Sequence, residues 1–172
     1  MLSLSDNEFS VINFLVRNFT EKLTIRNVAQ RLNFSAAGVF NILKKLEKER
    51  IVSGQKLGTG LFYSINFDNK ISRHLAAIVL LHSDEKIAIN AEQFKLAKSA
   101  IFDKKSILLV TDNLASGDIT IPNVNIISKT EDEVTELFRK KDHEMLLLLK
   151  KGIVLFGEDK IVGIIKNSMV AF

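Results

Sequence analysis

The amino-acid sequence predicts an α+β protein of two domains, a helical domain closed by a β-hairpin over residues 1–70 and a small α/β domain over residues 71–172. Three observations carry that reading. Residues 24–52, TIRNVAQRLNFSAAGVFNILKKLEKERIV, hold two short amphipathic helical segments separated by a tight turn. The next residues, SGQKLGTGLFYSINF, hold two β-prone arms around Gly58-Thr59-Gly60. Beyond residue 90 helix-like and strand-like patterns alternate.

The first helix, about residues 6–18, starts behind Ser5, with Glu8 three residues later as the reciprocal partner of a capping box. Its apolar set, Phe9, Ile12, Phe14, Leu15, Val16 and Phe19, is expected to be core. In the next segment Ile25, Val28, Ala29 and Leu32 follow i, i+3, i+4, i+7 spacing, as one buried helical face requires. Asn33 tolerates the left-handed conformation of a sharp helix exit, and Ser35 is placed to cap the following helix. There Val39, Ile42, Leu43 and Leu46 form the core stripe, leaving Ala36, Ala37, Gly38, Phe40, Asn41, Lys44 and Lys45 facing outward.

Arms 55–57 and 61–65 then form a hairpin. A polar turn, Asn66 to Lys70, leads into ISRHLAAIVLLH, an unusually apolar helical pattern that links the domains. In the second domain the patterns predict a helix at about 91–102, strands at 106–111 and 124–128, helices at 131–140 and 142–150, and short strands at 153–156 and 161–165.

Composition narrows the function classes. With 47% hydrophobic residues in 172, the chain can build packed cores. It has no cysteine, which excludes disulfides and thiolate metal sites. No apolar run of membrane-spanning length occurs, and the N-terminus lacks a basic region followed by an apolar core, so a cytoplasmic protein without a membrane partner is expected. Residues 1–70 hold ten Lys/Arg against six Asp/Glu, whereas residues 71–172 hold 14 of each. The whole net charge of +4 therefore lies in the first domain, as expected if that domain meets phosphate.

Helix-turn-helix followed by a hairpin resembles the prokaryotic winged-helix transcriptional regulators over about residues 5–70. The resemblance implies binding of double-stranded DNA, with the second helix of the pair in the major groove. Ser35, Ala36, Ala37, Gly38, Phe40, Asn41, Lys44 and Lys45, together with Lys56 on the hairpin, are then the DNA-binding residues. Asn41 suits adenine N6 and N7, Phe40 and Ala37 suit thymine methyls, and Lys44 and Lys45 suit phosphate. A preference for A·T-rich sites follows.

A second resemblance covers about residues 71–160. The stretch NVNIISKTEDEVTELFRKKDHEMLLLLKKGIVLFGED is similar to the end of a small nucleotidyltransferase domain. The resemblance implies that active members need a Gly-Ser loop to hold triphosphate and two or three Asp residues on adjacent strands to hold a divalent metal. Under one threading Lys104, Ser106 and Asn125 occupy the acidic positions. Under the other, Asn123 and Asn125 do so, with Thr111-Asp112 in place of the Gly-Ser loop. The resemblance thus implies a degenerate scaffold without transferase activity.

No other chemistry is legible. His74, His82 and His143 have no metal-ligand spacing, and no phosphate-binding loop or nucleophile–base set occurs. No catalytic residue, metal or cofactor is expected. The reading is a DNA-binding transcriptional regulator acting as a homodimer, joined through residues 71–82 or the apolar tail 161–172. The second domain supplies dimerisation or receives an unknown small-molecule or protein effector. Two alternatives stand beside it, a divergent nucleotidyltransferase enzyme and an antitoxin-like protein-interaction module.

Overall fold

Hydroxyl side chains start each of the first three helices. The computed structural model describes residues 4–82, 94, 96–112 and 121–169, which form seven helices and two sheets, a mixed α+β architecture. The chain divides into two compact units, residues 1–79 and 80–172.

In the first unit, Ser5 Oγ accepts the Glu8 N–H (3.3 Å) and a Glu8 carboxylate oxygen accepts the Ser5 N–H (2.8 Å), the capping box expected for α1 (Asp6–Arg17). Helix α2 (Ile25–Leu32) starts with a second box that the sequence reading missed, between Thr24 and Asn27. It ends at Asn33, which holds the left-handed conformation (φ 57°, ψ 37°). Helix α3 (Ala36–Lys48) is capped by Ser35, whose Oγ accepts the Gly38 N–H at 3.1 Å. A cap of this kind contributes about 1 kcal/mol. The three helices share one core, built from Val11, Ile12, Leu15 and Val16 on α1, Val28 and Ala29 on α2, and Val39, Leu43 and Leu46 on α3. On α2 and α3 the buried residues fall on the expected stripes, with Ile25, Leu32 and Ile42 half-buried at their margins; on α1, Val11 joins Ile12, Leu15 and Val16, whereas Phe9, Phe14 and Phe19, expected as core, are half-buried.

Strands β1 (Val52–Leu57) and β2 (Gly60–Ile65) pair antiparallel through a two-residue turn, Gly58-Thr59, so Gly60 belongs to the strand. Gly58 has φ +59°, as a hairpin turn with glycine at its first central position requires. Val52, Tyr63 and Ile65 share the buried face, and the Tyr63 N–H donates to Leu23 O at 2.8 Å, which ties the hairpin to the α1–α2 connection. Arg50, also left-handed (φ 58°), closes α3. Its carbonyl accepts from Asn66 Nδ2 (3.1 Å), Asn69 Nδ2 (3.0 Å) and Ser72 Oγ (3.4 Å). Those contacts anchor the start of α4 (Lys70–Leu81) to the end of α3. The sequence reading put the domain boundary at residue 70, ahead of this helix, whereas the division between the units falls inside it.

The second unit is built on a four-stranded sheet of order β5-β4-β3-β6. Strands β4 (Ser106–Thr111), β5 (Asn125–Lys129) and β6 (Ile153–Phe156) run one way and β3 (Ala97–Phe102) the other. On one face Ile107, Leu109 and Ala100 pack with Phe94, and partly buried Val124, Ile126 and Leu155 close around them. Alternation sends Leu108 and Val110 to the opposite face. Helices α5 (Glu131–Arg139), α6 (His143–Lys151) and α7 (Glu158–Ser168) pack against β3 and β4. Helices α5 and α7 lie parallel: Lys160 pairs with Glu131 at 3.0 Å near their starts, and Arg139 donates to Asn167 O at 3.2 Å near their ends.

Two expected elements are different. Residues 97–102, expected within a helix, form β3 at the centre of the sheet, while residues 91–93 and 95 of that expectation lie outside the described residues. Alanine and lysine gave the segment a helical look, but cross-strand pairing overrode propensity. The local cue was Asp103, whose Oδ1 accepts from the N–H groups of Lys105 and Ser106 and so makes the hairpin turn into β4. Residues 161–165, expected as a strand, lie inside α7. Their β-branched run suggested extension, yet Ile161, Ile164, Ile165 and Ser168 are buried at helical spacing. Among the described residues no helix is long and apolar enough to cross a membrane.

Candidate nucleic-acid interface

Burying Val39, Leu43 and Leu46 fixes the rotation of α3, and this rotation decides what the helix presents. Ser35, Ala36, Ala37, Phe40, Asn41, Lys44 and Lys45 are all exposed, and Gly38 is half-buried. At 100° per residue, Ala37, Asn41, Lys44 and Lys48 run up the middle of the exposed surface. Lys48 is exposed and belongs to this stripe, although the sequence reading stopped at Lys45. Its spacing of i+11 from Ala37 and i+4 from Lys44 was the available signal. The helix starts with three small residues, Ala36, Ala37 and Gly38, so its N-terminal turn permits close approach of another surface.

Gly38 has a local explanation. A Cβ there would come within 3.0 Å of Ser35 Oγ, the hydroxyl that caps the helix, and would meet nothing of α2.

The flanking lysines are held. On the α1 side, Lys45 Nζ lies 2.7 Å from Glu8 Oε1, whose side chain is 7% exposed. Burial works against the charge on Glu8, but Lys45 and the Ser5 N–H and hydroxyl outweigh it and hold the carboxyl below its ordinary range. On the hairpin side, Glu47 bridges two elements: one oxygen lies 2.7 Å from Lys44 Nζ and the other accepts the Gly54 N–H at 3.2 Å. The Glu47 carboxylate foremost, with Tyr63 adding to it, raises Lys44 above its ordinary value. Arg31 is held inward as well. It stacks 4.6 Å from the Phe14 ring centre, donates to Asn18 Oδ1 at 2.7 Å and pairs with Glu21.

On the hairpin, exposed Lys56 pairs across the strands with Leu61, and strand alternation puts it on the same side as buried Val52 and Tyr63. That side is turned to the helices, so Lys56 extends the hairpin's helix-facing surface at its tip. Leu57 and Leu61 are exposed on opposite sides of the tip.

In the second unit, Ser106 pairs in register with Asn125, and Lys104 sits in the turn just before β4. The first threading thus collects Lys104, Ser106 and Asn125 at the starting ends of β4 and β5. The second threading splits its parts, because Thr111 and Asp112 lie at the far end of β4 from Asn123 and Asn125. At that far end Lys98 pairs with Asp112. Among the described residues no group of three or more His, Cys, Asp or Glu side chains converges as a metal site would need. Models of known protein families, and the curated proteins, return no match to this chain.

Proposed function

We propose that the first unit is a winged-helix module that binds double-stranded DNA by placing α3 in the major groove, with the hairpin as its wing, and that the chain is a transcriptional regulator. The observation that carries this is the exposed α3 surface, where Asn41 stands between Ala37 and the lysines on a helix capped by Ser35 and fixed in rotation by its buried face. Asparagine matches adenine N6 and N7, and small neighbours let the helix sit deep enough to use it. The experiment is selection of duplexes from a random library, followed by titration of the preferred and a scrambled site. Asn41→Ala should cost about 1–3 kcal/mol on the preferred site and little on the scrambled one. An unchanged ratio would remove α3 as base reader.

A specific observation favours a second reading, a protein-interaction module. Lys44 and Lys45, the cations beside Asn41, are both held by acids of the same unit, and Phe40 is 44% exposed beside them. A surface so neutralised suits a protein partner as well as phosphate. Absence of salt-dependent binding to any duplex would decide for it.

For the second unit we infer a non-catalytic scaffold that supplies assembly or receives an effector. Lys104, Ser106 and Asn125 cannot supply the negative charge that a bound divalent metal needs. Retention of an active, divergent nucleotidyltransferase would require carboxylates elsewhere in the unit.

A further inference from the structure

We infer that the exposed apolar face of α4 is the contact between two copies of this chain, the helices pairing antiparallel about a two-fold axis, a partner assignment that rests on the DNA-binding reading only in how it spaces two α3 helices. Helix α4 spends one face on the interior, where Ser72, Ala76, Ala77, Val79 and Leu80 are buried. The other face carries Ile71, His74, Leu75, Ile78 and Leu81 at i, i+3, i+4, i+7 and i+10. Ile71 is 54%, Ile78 53% and Leu81 44% exposed. A largely apolar stripe of that kind on one helix, interrupted by exposed His74 alone, marks an interaction surface, unlike single exposed residues scattered over a protein.

The charges on α4 select the occupant. Its first turn holds Lys70 and Arg73 and no acid, and its last turn holds no basic residue, the reverse of what the helix dipole favours. An antiparallel copy corrects both ends, since each Lys70 then lies beside the partner's C-terminal carbonyls and the two like-charged ends are kept apart. A parallel pairing would juxtapose them. The same stripe serves both copies, as a two-fold interface requires. The other apolar segment expected to join two chains, residues 161–172, is unsuited over its described part, because Ile161, Val162, Ile164 and Ile165 are buried in their own unit. Twelve residues give a contact about 18 Å long, at the small end of stable interfaces, so association should depend on concentration in the micromolar range.

The test is sedimentation equilibrium of the full chain through a micromolar concentration series. Wild type should associate reversibly to a dimer, and Ile78→Asp should weaken association by about tenfold or more. Ile78→Ala, read beside far-UV dichroism and the thermal midpoint, covers the case in which the aspartate unfolds the chain. Orientation is read by crosslinking, since the natural chain has no cysteine. A mixture of Ile71→Cys and Leu81→Cys chains should give a heterodimeric disulfide, whereas Ile71→Cys alone should not crosslink. Crosslinking of Ile71→Cys to itself would overturn the antiparallel arrangement. A wild-type monomer at every concentration, or a dimer insensitive to Ile78→Asp and Ile78→Ala, would overturn the surface. A dimer that binds no duplex would leave the surface standing and remove the DNA-binding reading.

Discussion

Glu8 on α1 and Lys45 on α3 form an ion pair at 2.7 Å, and the second Glu8 oxygen simultaneously accepts the Ser5 N–H. One carboxylate therefore both starts α1 and ties it to α3. The lysine expected to reach phosphate is thus also an ion-pair partner of α1, and it lies one turn beyond Asn41 on the same helix.

This pair makes stability pH-dependent in a definite sense. The Glu8 carboxyl ionises more readily in the folded protein than in the unfolded chain, so the unfolded state binds more protons as the solution is acidified. Its contribution is complete above the ordinary glutamate value of 4.5 and is lost as pH falls through the lower folded value. Urea unfolding at pH 7 and near pH 3 should show a smaller acid loss for Glu8→Gln than for wild type. At neutral pH, Lys45→Ala should cost about 1 kcal/mol, a modest figure because Lys45 is itself half-exposed. Equal acid sensitivity in wild type and Glu8→Gln would exclude this assignment.

Glu47 restrains Lys44 in the same way, which predicts a gain on its removal. Glu47→Gln keeps an acceptor for the Gly54 N–H but frees the ammonium. Affinity for random duplex should rise, and the slope of log K against log salt should steepen by about one. Fluorescence anisotropy at several salt concentrations measures both, and an unchanged slope would mean that Lys44 does not meet phosphate.

The sharp exit of α2 depends on Asn33 at φ 57°. Asn33→Gly should be close to neutral, while Asn33→Ala should lose about 1–2 kcal/mol, because a Cβ without a local polar partner is strained there. Equilibrium unfolding distinguishes them, and equal stability for the two variants would show that the turn relaxes.

Much of the first unit was legible because its rules are local. Ser5, Asn33 and Ser35 act within four residues of themselves, and the α1, α2 and α3 stripes need only a period. The ion pairs that restrain Lys44 and Lys45 were illegible, since Glu8 lies 37 positions from Lys45 in the chain and only the packing of α1 on α3 unites them. In the second unit, Ala97–Phe102 becomes a strand through neighbours on both sides, β4 and β6, that no local window contains. Residues 161–165 failed for the opposite reason: a local preference of isoleucine and valine was outweighed by the interior they fill.

Two glycines of the second unit should respond oppositely to alanine. Gly157 has φ +72°, and a Cβ there would lie 2.1 Å from Lys98 O, in the backbone of β3. Gly157→Ala should cost about 3 kcal/mol or more through combined strain and overlap. Gly163, inside α7, has open space around its Cβ position, and Gly163→Ala should add about 0.5–1 kcal/mol. Thermal midpoints moving in the same direction would contradict the packing described for α7.

The second unit should transfer no nucleotide. Incubation of the full chain with labelled nucleoside triphosphates, Mg²⁺ or Mn²⁺ and candidate acceptors should yield no labelled product. Label transfer abolished by Asp112→Ala would show an acidic site at a residue to which neither threading gives a metal-binding role.

The joint at the Arg50 carbonyl has a genetic consequence. A peptide oxygen is present whatever side chain occupies the position, so no substitution at residue 50 deletes the acceptor itself. Asn66, Asn69 and Ser72 converge on it from separate codons, and losing any one leaves two donors engaged. Drift should therefore loosen the connection between α3 and α4 by degrees, and the angle between these two helices becomes a property that selection can adjust in small increments.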